Sequence, residues 1–447
     1  MVEEFLGYRG DALRALKEAG AEIGDIIRIT NNGGVCEGIL IPRSEYGDDK
    51  HIVIKLKNGY NLGVKVAPTT SIEKVGVGVK PTFIPSPLPE QRPDLPKVAI
   101  ISTGGTIASR VDYRTGGVRP ALSASDLYGV VPELSEIAVV EAEILFSLFS
   151  ENIKAEHWSE IAKNAARHIE NGDAGVVVAH GTDTMGYTAA ALSFALQDLP
   201  VPVIMVASQR SADRPSSDAA INLIGSVKAA ANAPFAEVTI AMHETVSDKS
   251  VVFHRGTKAR KCHTSRRDTF KSINAVPLAR MENGQIKTLT NDYHMRDSKR
   301  KLVLKPRFDG RVALIKFHPG LRPDLIEWYV DRDYKGIILE GTGLGHVGKY
   351  CFPAVKTAIE AGLLVGMTSQ CIWGRINMNV YDQGRDLLAL GIIPLEDMLP
   401  ETALVKLMWA FGQTEDANEA KRLLLTNIAH EISPRTTYEA ETGEEKP

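Results

Sequence analysis

Apolar and polar residues alternate in short runs over residues 1–80, and from residue 97 short apolar runs take turns with longer stretches of period 3.6. After a short amphipathic start, residues 24–30 alternate and stop at Asn31-Asn32-Gly33-Gly34, a strong turn signal. Residues 35–42, 51–57 and 60–66 repeat the pattern, with Asn58-Gly59 closing the second of these runs. Short strands punctuated by such turns predict a small β-barrel-like domain over residues 1–80. Pro81, Pro85, Pro87, Pro89, Pro93 and Pro96 follow in close succession. Proline has no N–H to donate and a fixed φ, so residues 81–96 read as a semi-rigid linker rather than helix or central strand.

From residue 97 the rhythm is strand, helix, strand. Residues 98–102 form a buried-strand run, and 155–170 a helix with Trp158, Ile161, Ala162, Ala165 and Ile169 on one face, stopped by Asn171-Gly172. Strands at 175–179, 201–207 and 237–242 alternate with helices at 187–196 and 218–231. This alternation predicts a mostly parallel sheet with helices on both faces, whose functional sites lie at the carboxyl ends of the strands. Residues 270–310 look polar and irregular. A smaller α/β unit follows, with strands at 312–317, 336–340 and 363–368 and helices at 324–331 and 355–361. Helical patterns run from 401 to 431, and the polar tail after Pro434 is expected to fray. The division is thus 97–300 for the larger α/β domain and 301–447 for the smaller one.

Composition narrows the setting. The chain has 447 residues, 44% hydrophobic, with a formal net charge of −3, so the whole molecule carries no nucleic-acid signature. Cys36, Cys262, Cys351 and Cys371 are scattered, which argues against a disulfide scaffold or structural zinc and fits a reducing cytosol. The opening Met1-Val2-Glu3-Glu4 lacks the order of a signal peptide, and no apolar run approaches a membrane span. A cytoplasmic protein with no metal and no membrane association is expected.

Two strand ends carry unusual loops: Ser102-Thr103-Gly104-Gly105-Thr106-Ile107-Ala108 and His180-Gly181-Thr182-Asp183-Thr184-Met185. Each is a glycine turn that presents a hydroxyl, and the second sets a carboxylate beside it. Taken alone, the first reads better as a phosphate-cradling turn or a tight strand–helix connection, and the second as an N-cap pair. Together, at strand ends of one sheet, they point to nucleophilic amide chemistry, in which a threonine hydroxyl needs a base or cation to activate it.

The paired motifs T-G-G-T-I and H-G-T-D-T resemble those of the type I/II L-asparaginases, over residues 97–413. The resemblance implies an α/β, two-domain asparaginase-like architecture with mostly parallel sheets, here preceded by the small β-barrel-like N-terminal domain. It implies Thr106 as nucleophile, with Thr182, Asp183 and Lys261 as the proton-handling group; Lys261 opens the segment Lys261-Cys262-His263-Thr264-Ser265. It places Ser150 and Glu151 on the substrate's α-carboxylate and α-ammonium, the latter shared with Asp183, and Tyr113 on a lid.

The chain departs from free-standing asparaginases in its N-terminal domain, its linker and two basic runs. These are Arg255, Lys258, Arg260, Lys261, Arg266, Arg267, Lys271 and then Arg296, Lys299, Arg300, Lys301, Lys305, Arg307. In a net-acidic protein they suggest an acidic partner. The whole chain resembles the archaeal-type glutamyl-tRNA(Gln) amidotransferase family. That resemblance implies release of ammonia from glutamine or asparagine, and a homodimer within a heterotetramer. It further implies an E subunit that binds tRNA(Gln) and uses ATP and magnesium, with no cofactor in this subunit. A cytosolic L-asparaginase with an accessory domain, or an idle amino-acid-binding or tRNA-scaffold protein, stay open as alternatives. The intact threonine, aspartate and lysine set speaks against the second, and the extra domain and basic runs against the first.

Overall fold

The computed structural model describes residues 7–31, 34–43, 48–57, 61–77, 92–105, 109–111, 118–120, 131–210 and 216–436. The turns at Asn32-Gly33 and Asn58-Gly59 and most of the proline segment lie outside these residues, as do Thr106 and Tyr113.

The N-terminal residues form a five-stranded antiparallel sheet in the order Asn61–Lys65, His51–Lys55, Gly34–Leu40, Ile26–Asn31, Ser71–Gly76. Period-two alternation turns Ile27, Ile29, Leu40, Ile52, Ile54 and Val64 inward, where Ala12 and Leu16 of the helix Gly10–Glu18 close the core. Tyr8 ties the start of the chain to this sheet by donating its hydroxyl to the Ile41 carbonyl, 2.8 Å away.

The large domain is built on an eight-stranded sheet. Its order is Gln285–Thr288, Ala279–Glu282, Ser250–Arg255, Val238–His243, Val203–Val206, Gly175–Ala179, Lys97–Gly104, Val139–Leu148. The five strands from Val238–His243 to Val139–Leu148 are parallel; the other three are antiparallel additions. The central parallel strands Gly175–Ala179 and Val203–Val206 read as unbroken apolar runs because helices cover both faces. One face packs on Ala219–Asn232, through Leu223 and Val227. The other packs on Ala155–Glu170 and Met185–Ala195, through Ile161, Ala165, Ala189 and Leu192. The smaller domain is a parallel sheet of Val312–Lys316, Gly336–Gly341, Leu364–Ser369 and Ile393–Pro394. A shared core joins the two domains: Trp158, Ala190 and Phe194 interlock with Val312, Ile338, Trp409 and Phe411. Among the described residues no helix is long and apolar enough to cross a membrane.

Two expectations need correction. The stretch 270–310 is irregular only in part: Phe270–Ser272, Ala279–Glu282, Gln285–Thr288 and Val303–Leu304 are strands, short and too polar to stand out in the sequence. Helix ends at Leu425 rather than 431, and the chain beyond folds back on the large domain, with the Ala429 carbonyl accepting from Thr257.

The basic runs also serve the fold itself. Arg255 pairs with Glu237, Lys258 with Asp397 and Arg260 with Glu401, while Arg266 and Lys271 share Asp268, and Arg267 meets Asp248. In the second run, Arg296 donates to the carbonyls of Ala230, Ala231 and Ala233, at 2.6, 3.0 and 2.8 Å. These are the orphan acceptors at the end of the helix Ala219–Asn232, so the guanidinium acts as its C-terminal cap. Arg300 donates to the Leu199 carbonyl and Lys305 lies over the Trp409 ring. The charge pattern therefore does not by itself mark an acidic partner's surface. Arg296→Ala should destabilise the protein by about 2–3 kcal/mol by leaving buried carbonyls unpaired. Lys299→Ala, from the same run but exposed, should stay within about 0.5 kcal/mol. Urea unfolding of both variants checks this; equal losses would contradict the capping role.

Candidate functional site

Strands Lys97–Gly104 and Gly175–Ala179 lie side by side, with Ser102 opposite Ala179, so their carboxyl-end loops emerge at one level. Thr103 stitches the two by donating its hydroxyl to the Ala179 carbonyl at 2.9 Å. Gly104 and Gly105 have φ of +116° and +85°. A Cβ at Gly104 would stand 2.1 Å from the Leu148 oxygen, and one at Gly105 2.6 Å from the His180 oxygen. Any other residue here would drive the loops apart.

The second loop is not an N-cap pair. The helix Met185–Ala195 starts after Thr184, and no side chain caps it; the Thr184 hydroxyl instead donates to the Ser150 carbonyl at 2.6 Å. This draws the segment Ser150–Asn152 against the loop, with Ser150 buried and Glu151 exposed. Thr182 and Asp183 are thereby left for other partners. Lys261 supplies them: its Nζ donates to Thr182 Oγ1 at 2.9 Å and to Asp183 Oδ1 at 2.8 Å. Lys261 ends the short strand Ala259–Lys261, which pairs with Phe270–Ser272 in a hairpin reaching over the sheet. Its side chain is 16% exposed, whereas that of Asp183 is 67% exposed. An exposed pair of this kind adds little stability, so its importance is positional.

Of the residues singled out from the sequence, Thr182, Asp183 and Lys261 meet in one hydrogen-bonded cluster; Ser150 is tied by its carbonyl to Thr184 of the same loop, and Glu151 beside it is exposed. Thr106 and Tyr113 lie outside the described residues. Sequence reasoning passed over His180, although it heads the motif. His180 is fully buried beneath the loop. The indole N–H of Trp158 can only donate, and it donates to Thr188 Oγ1 at 3.1 Å. The Thr188 hydrogen then points to His180 Nε2, 2.9 Å away, and His180 Nδ1–H donates to the Gly181 carbonyl at 2.7 Å. The ring is neutral, its pKa pushed by burial from 6.5 down to about 4, and it holds the backbone just before Thr182. Among the described residues no group of three or more His, Cys, Asp or Glu side chains is placed to hold a metal ion.

Comparisons with known proteins bear on the fold and the family. Residues 97–294 match the family model described as asparaginase, N-terminal, and residues 311–424 the glutaminase/asparaginase C-terminal domain. The structure resembles the thermostable L-asparaginase from Thermococcus kodakarensis, at 29% identity and a TM-score of 0.68, covering 76% of this chain and 100% of that one. It also resembles L-asparaginase I from Vibrio cholerae, at 27% identity and a TM-score of 0.67, covering 76% and 99%. The class is therefore the asparaginase fold, two domains with the loops described above at its strand ends. Residues 21–75 match a further model, the GatD N-terminal domain. The chain is 53% identical to the glutamyl-tRNA(Gln) amidotransferase D subunit of Metallosphaera sedula over 96% of its length and 97% of that protein. It is 50% identical to the corresponding protein of Pyrococcus horikoshii, over 95% and 98%. The chain belongs to the family of glutamyl-tRNA(Gln) amidotransferase D subunits.

Buried neutral histidines make stability depend on pH. His254 is also buried, and desolvation together with the charge of Lys271 pushes it from 6.5 down to about 3. The unfolded chain takes up these protons near pH 6.5 and the folded chain does not, so stability is complete above pH 6.5 and falls as the pH drops below it. The His180 share should be on the order of 3 kcal/mol by pH 4. Urea unfolding between pH 7 and 4.5 should show a shallower decline for His180→Gln than for the wild type; parallel curves would contradict this.

Proposed function

We propose that this chain is the ammonia-releasing subunit of a glutamyl-tRNA(Gln) amidotransferase, hydrolysing the side-chain amide of glutamine or asparagine. The observation that carries the reading is the Lys261 ammonium, 2.9 Å from Thr182 Oγ1 and 2.8 Å from Asp183 Oδ1. An ammonium that donates to Thr182 Oγ1 turns that hydroxyl's own hydrogen away from the lysine, and it lowers the oxygen's proton affinity. Thr182, Asp183 and Lys261 thus form a proton-handling unit in which the Asp183 carboxylate is the base: it can take the proton of an attacking hydroxyl and return it to the leaving amine, while the Lys261 ammonium stabilises the charge on the threonine oxygen.

In this reading a threonine hydroxyl attacks the carboxamide carbon, the C–N bond breaks, and ammonia leaves with the transferred proton. Water then cleaves the resulting ester and restores the hydroxyl. By family resemblance Thr106 is the nucleophile, and Tyr113 closes over the substrate. Asp183 and Glu151, both exposed, receive the substrate's α-ammonium, and Ser150 its α-carboxylate. Ammonia serves a partner E subunit that binds tRNA(Gln) and uses ATP and magnesium; no residue of this chain is assigned to the nucleotide. As the family resemblance implies, contact with tRNA is assigned mainly to the partner. The working assembly is a heterotetramer built on a homodimer of this chain.

Thr106→Ala and Thr182→Ala should each lower ammonia release from glutamine or asparagine by about 10³-fold or more, and Lys261→Met comparably, with the fold retained. Losses of only a few-fold would defeat the mechanism. The N-terminal sheet contributes none of these residues and leaves Asn61–Lys65 and Ser71–Gly76 as edge strands, suited to docking. A chain starting near Pro93 should keep amide hydrolysis and lose most tRNA-dependent amidation and co-elution with an E subunit. Full transamidation by the shortened chain would show the domain to be dispensable.

A further inference from the structure

The hairpin that carries Lys261 is rooted in the other domain. Lys258, three residues before Lys261, is the most enclosed cation of the Arg255–Lys261 segment, with its side chain 1% exposed. Its Nζ donates to Asp397 Oδ2 at 2.7 Å, and Asp397 itself is 3% exposed. Asp397 is fixed in turn, since its Oδ1 accepts from the backbone N–H of Ser433 at 2.9 Å. On the hairpin side, the Lys258 carbonyl accepts from the N–H of Ile273 at 2.8 Å, so the residue holds the strand partner of Ala259–Lys261 as well. Weaker ties flank it. Thr257 Oγ1 donates to the Ala429 carbonyl at 2.8 Å, and Asn274 exchanges two 2.8 Å hydrogen bonds with Gly374.

We propose that Lys258 is a positioning residue for Lys261: its buried ion pair with Asp397 fixes the root of the hairpin and so the distance from Lys261 Nζ to Thr182 Oγ1. The inference rests on the proposed amidohydrolase reading of the site. A charge pair excluded from water is a poor source of net stability compared with apolar packing. It is, however, directional, and it tolerates one geometry. Lys261 lies at the free end of a short strand, so a shift of about 1 Å at the root would reach its Nζ, where misplacement of that size costs on the order of 10²-fold in rate.

The test separates position from stability. Lys258→Met leaves the Asp397 carboxylate buried without its cation and should lower both the melting temperature and kcat. The double variant Lys258→Met/Asp397→Asn removes the buried charge and keeps an acceptor for Ser433, so its melting temperature should recover. Its kcat for ammonia release should stay about 100-fold below wild type, with KM changed by less than about threefold. Recovery of kcat together with the melting temperature would overturn the proposal, as would a single variant with unaltered kcat. Hydrogen exchange gives a readout independent of turnover. The amides of Cys262 and Ile273, bonded to Thr269 and Lys258 carbonyls, should exchange at least about tenfold faster in the double variant, while Val178 in the sheet is unaffected. Unchanged protection at Cys262 and Ile273 would overturn the proposal. Wild-type protein inactive on both amides would defeat the amidohydrolase reading alone, and the exchange rates would still decide the role of Lys258.

Discussion

Two parallel strands that end side by side leave their last backbone groups without strand partners, and here that shortage is met by knitting the two loops together. The Thr103 hydroxyl takes the Ala179 carbonyl, Gly105 lies directly on the His180–Gly181 peptide, and His180 Nδ1–H takes the Gly181 carbonyl. Thr184 then binds the Ser150 carbonyl and brings in a third strand end. Each bond satisfies a polar group that would otherwise be buried unpaired, at a cost of about 1–3 kcal/mol each. With the backbone so constrained, Thr182 and Asp183 have little choice of direction, and a lysine arriving from above can meet both.

That lysine depends on the second domain. The apolar seam of Trp158, Phe194, Val312 and Trp409 brings the domains together, but apolar contact alone permits sliding. The directional tie across the interface is the buried ion pair of Lys258 with Asp397; within the smaller domain Lys406 and Glu431, both fully enclosed, form a second buried pair. Glu431 also accepts the N–H groups of Ile428 and Ala429, which folds the chain after Leu425 back beside Thr257. The smaller domain thus acts on the site without supplying any of the matched residues, by holding the hairpin that does.

The basic runs show how a linear charge pattern can mislead. Arginine and lysine clustered in sequence look like a surface for an acidic partner, yet folding gives many of them acceptors within the chain. Arg296 ends beneath a helix terminus, Arg255 against Glu237, and Lys258 inside the domain interface. A run of cations says nothing about the carboxylates and carbonyls that distant segments bring to it. The family assignment rests instead on the match over nearly the whole chain, including the N-terminal domain.

The sequence by itself determined the layer pattern and the chemistry-bearing loops. Residues 155–170 and 175–179 coincide with the helix Ala155–Glu170 and the strand Gly175–Ala179, because long apolar periodicities bounded by Asn-Gly leave few alternatives. Glycine turns at strand ends marked the site, since only glycine permits such close approach of two backbones. The strands at 270–288 stayed hidden because they are short and polar, and the edge strand Val139–Leu148 because one side of it faces no covering strand. Only the tertiary structure decided what Lys261, His180 and Lys258 touch. Lys261 meets Thr182 across 79 positions of sequence and Lys258 meets Asp397 across 139. Contacts at such separation are set by which strands pair and which faces pack, and no local pattern of residues records them.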